Sequence, residues 1–360
     1  MHHKPSTPPE LELSIIIGVL NGADYIEGCL EAVYNQGLSL DSFEILLLDG
    51  GSQDDTVAIA QTFAKQRSYQ NLHILPNPRV TLAAAFNIGK SLARAPFIGK
   101  VDAQGRLGEN YYGVLLDYIK AHPDIGLIGG RLRLDGDTPL AKAWAPLFGD
   151  PFLVGPARYR YATSPQEIDA ALYGIYRKAA MEETGDFDEA ILRAEDTDFN
   201  YRMRQKGWKI YLQPAVEATY FVRRTLPRAY TQFFNYALWR TMFQFKQNLG
   251  LKSRQLLPSL WLAGMLGSVL LGLSLSPLWL LPPLTYLALA ALRAATKMRR
   301  PTFSQWLQGA ALFPTLHAGY ALGALGATFR QLRGAGLKPA NEKVRQQLGY
   351  PEAAEPLKKP

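Results

Sequence analysis

Cysteine is nearly absent from this 360-residue chain. Its one copy, Cys29, excludes an internal disulfide framework and a cysteine-based zinc cluster. Histidine numbers five, with none between His122 and His317. No Gly-x-Gly-x-x-Gly follows the first predicted strand and no Walker A run occurs, which sets aside classical dinucleotide and P-loop sites. Acidic residues are scarce in the last third. Residues 228–360 hold 16 basic residues against 3 acidic ones, net +13, whereas residues 1–227 hold 23 against 28, net −5. The overall +8 is therefore not the mark of a basic N-terminal domain gripping nucleic acid, and no nucleic-acid partner is expected. Charge of either sign is missing from two stretches, Gln255–Leu292 (38 residues) and Pro301–Phe329 (29 residues).

Those gaps read as membrane segments, because about 20 apolar residues cross a bilayer and a helix satisfies its own backbone hydrogen bonds there. The first gap fits two short spans, broken where Ser276-Pro277 and Pro282-Pro283 mark a turn. The second, Trp306 to Phe329, fits one span or a re-entrant element, with Pro314 and His317 inside it. Arg293, Lys297, Arg299 and Arg300 stand between the gaps, and Arg330, Arg333, Lys338, Lys343 and Arg345 follow the second. The positive-inside rule assigns both clusters to the cytoplasm, which three full spans do not allow. Met1 to Pro9 has no apolar signal-peptide core, so the first domain is expected in the cytoplasm, at an inner-membrane, multi-pass protein.

The first two hundred residues alternate. Leu13–Val19, Phe43–Leu48, Leu72–Leu75 and Phe97–Val101 are short apolar runs read as buried strands. Helical patterns lie between them, over Ile26–Tyr34, Asp54–Arg67 and Leu82–Ala93. This β-α order predicts an α/β fold with a mostly parallel, Rossmann-like sheet and a ligand crevice at the carboxyl ends of the strands. Asp49 and Asp102 stand just past two of those strands, so both are expected in one crevice. Asp49 suits either a contact to a nucleobase or ribose, or a turn aspartate capping the next helix. Asp102 and Gln104 share a face at i and i+2, which suits a hard cation with a diphosphate or a plain turn. Glu195-Asp196 opens a segment ending in Arg202, Arg204 and Lys206, which suits either a general base at a cleft rim or ordinary dipole capping.

Several of these signals occur in one order. Ser-Ile-Ile-Ile-Gly-Val-Leu-Asn-Gly-Ala-Asp-Tyr-Ile (14–26), Leu-Leu-Asp-Gly-Gly-Ser-Gln-Asp-Asp-Thr (47–56), Asn87-Ile88-Gly89, Val-Asp-Ala-Gln (101–104) and Ala-Glu-Asp-Thr-Asp-Phe-Asn-Tyr-Arg (194–202) together resemble glycosyltransferase family 2. Pro227-Arg228, Tyr236-Ala237-Leu238-Trp239-Arg240 and the apolar segments resemble its exopolysaccharide, succinoglycan-type branch.

The resemblance implies a GT-A domain over 12–226 between a flexible N-terminus (1–11) and an amphipathic interface helix region (227–254). Membrane helices (255–330) and a basic tail (331–360) follow. It implies an inverting transfer from a nucleotide-diphosphate sugar, with UDP as the expected nucleotide. Val19, Asn21, Asp49, Gly50, Ser52, Asn87, Lys100, Asp102 and Arg202 would contact the nucleotide sugar. Asp102 and Gln104 would hold Mg2+ or Mn2+, and Asp196, with Glu195 beside it, would be the catalytic base. The sequence departs from the family pattern at Gly18, usually proline, and at Gln104, usually an acid. It also lacks a histidine ligand after the acidic motif, leaving Arg202 or Arg223 to meet diphosphate charge. It has no Gln-x-x-Arg-Trp, which points to addition of a single sugar. Expected partners are the donor, a polyprenyl-linked or glycan acceptor, and membrane lipids. A polyprenyl-phosphate sugar transferase and a catalytically impaired membrane scaffold are the alternatives.

Overall fold

The computed structural model describes residues 11–155, 162–251 and 253–334, with the Arg254 side chain left aside. The expected flexible N-terminus, but for residue 11, and the tail beyond residue 334 lie outside the described residues. The elements run β1 (Leu13–Val19), α1 (Ala23–Tyr34), β2 (Phe43–Asp49), α2 (Thr56–Gln66), β3 (Leu72–Pro76), α3 (Leu82–Leu92) and β4 (Phe97–Asp102). Then come β5 (Arg106–Leu107), α4 (Tyr111–Ala121), β6 (Ile125–Asp135), α5 (Pro139–Trp144), α6 (Pro151–Val154), β7 (Gln166–Glu167), β8 (Ile175–Arg177) and α7 (Lys178–Thr184). The chain continues through α8 (Glu195–Gln205), β9 (Lys209–Phe221), α9 (Leu226–Lys246), α10 (Ser253–Ser274), α11 (Leu281–Lys297) and α12 (Phe303–Leu332). They form two compact units, and residues 134–155 belong to the second although they sit early in the chain.

The first unit is built on a nine-stranded sheet ordered β3-β2-β1-β4-β8-β6-β9-β5, with β7 on β9. β1 pairs in parallel with both β2 and β4, and β3 joins β2 in parallel. The antiparallel part, which periodicity did not anticipate, begins at β8, a three-residue strand antiparallel to β4 and β6. Strand side chains alternate between faces, and each face has its own core. Ile15 and Ile17 pack with Ile26, Leu30 and Val33 of α1 and with Tyr112 and Leu115 of α4. Ile16 packs on the other side with Phe86 of α3, Tyr176, and Phe199 and Met203 of α8. Burial on both faces explains why β1 reads as a continuous apolar run rather than an alternating one.

The amino-terminal ends of β1 and β2 and the entry to β4 are tied by one buried acid. Glu44 Oε1 accepts from Ser14 Oγ (2.6 Å) and from the Arg94 backbone N–H (3.0 Å). Its Oε2 accepts from Arg94 Nε (2.8 Å) and pairs with the other arm of that guanidinium (2.7 Å). Ser14 Oγ in turn accepts from the Ala95 N–H at 3.0 Å. Burial alone would raise the Glu44 pKa; the Arg94 and Ser14 hydrogen bonds outweigh it and hold the group below its usual value.

The second unit is helical. The small residues Gly319, Gly323 and Ala327 lie one turn apart on α12 and are buried against α9. A Cβ at Gly319 would meet the Tyr230 carbonyl at 3.1 Å, and one at Gly323 would collide with the Phe234 carbonyl. A second core gathers Trp144, Phe148, Val222, Ala290, Ala294, Phe313 and Leu316. The two apolar gaps resolve differently. Gln255–Ser274 and Pro277–Lys297 are long and apolar enough to cross a membrane, with mean hydropathies of 1.8 and 1.4. Their leucines face outward: Leu273 is 77% exposed, and Leu257, Leu270, Leu278 and Leu284 are also exposed. The third segment instead forms one continuous 30-residue helix through Pro314, with nine buried residues toward its neighbours. It is not among the candidate spans.

Two predictions follow from these contacts. Replacing Glu44 by Gln should cost about 2 kcal/mol at neutral pH, the scale of hydrogen bonds to a charged group. Because the folded-state pKa of Glu44 is depressed, its contribution is present above the unfolded value and is lost as pH falls through the folded value. Urea midpoints of the wild type should therefore fall toward the variant's on acidification; a constant gap would refute the linkage. In α12, Gly323→Leu should destabilise by roughly 1–3 kcal/mol through overpacking. Gly326→Ala, whose added atom meets only Leu238 at 3.8 Å, should not, as thermal midpoints in detergent will show.

Candidate active site

The parallel register aligns the strand ends. Val19 lies beside Asp49 and Gly18 beside Asp102, so the two carboxylates flank the end of β1, on the order of 10 Å apart across two strand spacings. The loops after β1 and β2 are latched together. Asn21 adopts a left-handed φ of 48°, which asparagine tolerates, and its N–H donates to Ser52 Oγ (2.9 Å). Its Oδ1 accepts from the Gln53 N–H (2.8 Å). The Gly22 N–H donates to Thr56 Oγ1 (2.8 Å) and the Ala23 N–H to Asp54 Oδ2 (3.0 Å). Asp49 is half-buried and holds its own turn, accepting from the Gly51 N–H (3.1 Å), the Ser52 N–H (3.1 Å) and Ser52 Oγ (2.5 Å). The Gly50 N–H returns to the Val19 carbonyl at 2.8 Å. Val19, Asn21, Asp49, Gly50 and Ser52 thus form one preorganised rim.

At the end of β4 the Asp102 carbonyl accepts from the Gly105 N–H (2.7 Å) and from the Cys29 thiol (3.6 Å). Burial pushes that thiol up to about 12, so it keeps its proton inside the core. The turn leaves Asp102 half-buried and Gln104 exposed.

The densest charge lies two residues back. Lys100 is buried, with its Nζ 4.0 Å from Glu195 Oε1 and 4.3 Å from the centre of the Phe86 ring. Burial works against its charge, but Tyr176, Glu195, Asp196 and Asp102 raise its pKa, so the ammonium holds its proton. Glu195 is buried too, and burial raises its pKa. Lys100 opposes that rise, while Asp196 and Asp102 reinforce it. Asp196 is half-buried at the first turn of α8, after Ala194 enters the helix from a left-handed φ of 64°. The helix dipole favours an acid there. Asp102, Glu195 and Asp196 thus all lie within electrostatic reach of the Lys100 ammonium.

Asn87 and Arg202 are placed differently. Asn87 donates to the Phe187 carbonyl (3.0 Å) and to Glu189 Oε1 (2.9 Å), and accepts from the Phe187 N–H (2.8 Å). The Arg202 guanidinium spends all three nitrogens inside the fold, on Asp198 Oδ2 (2.8 Å), the Thr184 carbonyl (2.8 Å) and the Asp186 carbonyl (2.7 Å). Both fasten the segment that carries Phe187. That ring stacks on Phe199 at 3.9 Å and stands 5.9 Å from Lys100 Nζ. Arg223 belongs to the second unit, where its carbonyl accepts from Trp144 Nε1 (3.2 Å). Tyr176, Phe86 and Phe187 also stand around Lys100, outside every sequence motif. They are brought to Lys100 by β8 and by packing, and no local pattern marks them.

A parallel half-sheet with carboxylates at its carboxyl edge, continued by antiparallel strands, is the GT-A arrangement of nucleotide-sugar transferases. The mannosyltransferase PcManGT from Pyrobaculum calidifontis, in complex with GDP-Man and Mn2+, shares the fold at a TM-score of 0.58. Its identity is 17%, covering 91% of this chain and 90% of that one. Residues 14–184, just under half of the chain, match the model for glycosyl transferase family 2, and with its relatives this marks the chain as a glycosyltransferase. One relative is the dolichyl N-acetyl-alpha-D-glucosaminyl phosphate 3-beta-D-2,3-diacetamido-2,3-dideoxy-beta-D-glucuronosyltransferase of Methanococcus voltae. It is 25% identical over 229 residues, 62% of this chain and 71% of that protein. The succinoglycan biosynthesis protein ExoA of Rhizobium meliloti is 25% identical over 247 residues, 68% and 73% of the two chains.

Removing one member of the buried pair strands the other. Lys100→Met should cost about 3 kcal/mol of stability. Lys100→Met combined with Glu195→Gln should recover most of that loss while turnover stays low. If the double variant is no more stable than the single one, the two groups are not energetically paired.

Proposed function

We propose that the chain is a membrane-anchored, inverting glycosyltransferase that moves a sugar from a UDP-sugar to a lipid-linked or polysaccharide acceptor. The observation that carries this reading is the convergence of Asp102, Lys100, Glu195 and Asp196 at the carboxyl edge of the sheet. The names of the relatives from M. voltae and R. meliloti, a dolichyl-phosphate-linked sugar and succinoglycan, support the acceptor class.

The nucleotide lies at the latched rim of Asn21, Asp49 and Ser52, with the diphosphate toward Asp102. Among the described residues, no group of three His, Cys, Asp or Glu side chains is able to hold a metal. Asp102 and Gln104, on the turn after β4, would offer a divalent ion two oxygen donors, fewer than a cation site of protein ligands alone needs. Mg2+ or Mn2+ bound there would neutralise charge on the leaving diphosphate. Of the two adjacent acids, Asp196 is the more accessible and takes the proton from the acceptor hydroxyl as general base. The hydroxyl oxygen forms its bond to the anomeric carbon as the bond to the diphosphate oxygen breaks on the opposite face. Glu195, held by Lys100, fixes the first turn of α8 and so the position of Asp196. Asn87 and Arg202 act as positioning residues.

Membrane anchoring rests on the two outward-facing apolar helices. Two spans return the chain to the side it left. Arg293–Arg300 and the basic residues after α12 then share the cytoplasmic side, which the positive-inside rule favours.

The experiment offers several UDP-sugars to purified protein with Mn2+ or Mg2+ and reads the product anomer by NMR. Inversion is expected, with turnover of Asp196→Asn down by roughly 10² or more. A retained anomer, or an unchanged Asp196→Asn, would overturn the scheme.

A further inference from the structure

Within the second unit, the turn between α11 and α12, the start of α5 and the end of β6 line an open cavity of about 630 Å³. Its charged and amide lining is Asp135, Asp137, Lys142, Arg299, Arg300 and Gln305. We infer that this cavity binds the phosphate head group of a membrane lipid. The inference rests on the membrane reading above and adds to it a discrete binding site.

The charge balance is the first support. The Asp137 carboxylate is taken by Arg224, whose Nε and terminal nitrogen reach Oδ2 at 2.9 and 2.6 Å. That leaves Asp135, whose Oδ1 already accepts from the Gly136 N–H (2.8 Å), facing three cations. Among the described residues, no carboxylate lies within ion-pair distance of Lys142, Arg299 or Arg300. Two guanidinium forks and an ammonium on one concavity are the donor set a phosphate takes.

The cavity is also fixed in place. The Arg299 N–H donates to the Ala143 carbonyl at 3.1 Å, which joins the turn to α5. Met298 is buried against Gly309 of α12. Arg300 takes a left-handed φ of 41°, and Thr302 and Gln305 close a capping box just after it. The backbone at both arginines is thus fixed, while their side chains stay exposed.

A lipid, rather than free phosphate, is indicated by what surrounds the cations. Arg299 and Arg300 directly follow the second apolar helix, Pro277–Lys297. Phe303 is 77% exposed beside them, its ring 5.5 Å from that of Trp306. Aromatic rings next to basic residues at the end of an apolar helix mark the head-group level of a bilayer.

The test uses the full chain in neutral detergent. Short-chain phosphatidic acid, short-chain phosphatidylcholine and inorganic phosphate are titrated in turn. One phosphatidic acid per chain is expected, with weaker binding of the other two. Arg299→Gln/Arg300→Gln should weaken that binding roughly tenfold or more. Arg330→Gln/Arg333→Gln, an equal loss of charge elsewhere, should leave it unchanged. Equal weakening by both doubles would mean diffuse attraction and would overturn the site. Inorganic phosphate binding as tightly as the lipid would overturn the head-group assignment. Flotation with pure phosphatidylcholine vesicles separates the two readings. If neither wild type nor the Arg299/Arg300 variant floats, membrane anchoring itself fails. If both float but phosphatidic acid is not selected, only the head-group site fails.

Discussion

Everything in the catalytic unit depends on one geometric constraint: parallel strands in register must end at the same edge. β1 is hydrogen-bonded to β2 on one side and β4 on the other. Each parallel neighbour requires a helical crossover, so each strand end is followed by a loop on the same side of the sheet. That edge consequently receives Asn21, Asp49 and Asp102 without any of them being near another in the chain. The backbone hydrogen bonds do the positioning, and the side chains need only be polar at the right place.

The second half of the sheet then adds what the parallel half lacks. β8 inserts beside β4 and brings Tyr176 to the wall where Lys100 is buried. α8 delivers Glu195 and Asp196 to the same wall. Burying an ammonium is unfavourable unless it is compensated, and here it is compensated by nearby acids and by the face of Phe86. Such a pair stabilises little against an apolar replacement, and it stands at the first turn of α8, one residue from Asp196. The aromatic stack of Phe187 on Phe199 and the hydrogen bonds of Asn87 and Arg202 support the same wall from behind.

The helical unit solves a different problem. Its α10–α11 hairpin exposes leucine along its length, a surface that water disfavours and lipid does not. α12, equally poor in charge, has small residues on one face, and these let α9 approach closely. Lack of charge alone therefore does not separate a lipid-facing helix from a packed one. The distinction lies in whether one face is small enough to seat a neighbour.

Local sequence determined the four parallel strands, the helices between them, and the turn residues Asn21, Asp49 and Asp102, because apolar periodicity and turn chemistry act over a few residues. It also determined that charge would be excluded from 255–292, since that is a property of composition. It did not determine β8 or the small strands paired with β9, which are two or three residues long and are stabilised by distant partners. Nor did it show that Arg202 would be spent on Thr184 and Asp186, or that Lys100 would be buried beside Glu195. The second outcome depends on residues nearly a hundred positions apart arriving at one wall of the sheet, and the first on a loop folding back onto α8. A side chain's charge is written in the sequence, but its partner and its exposure are decided only when the chain has closed around it.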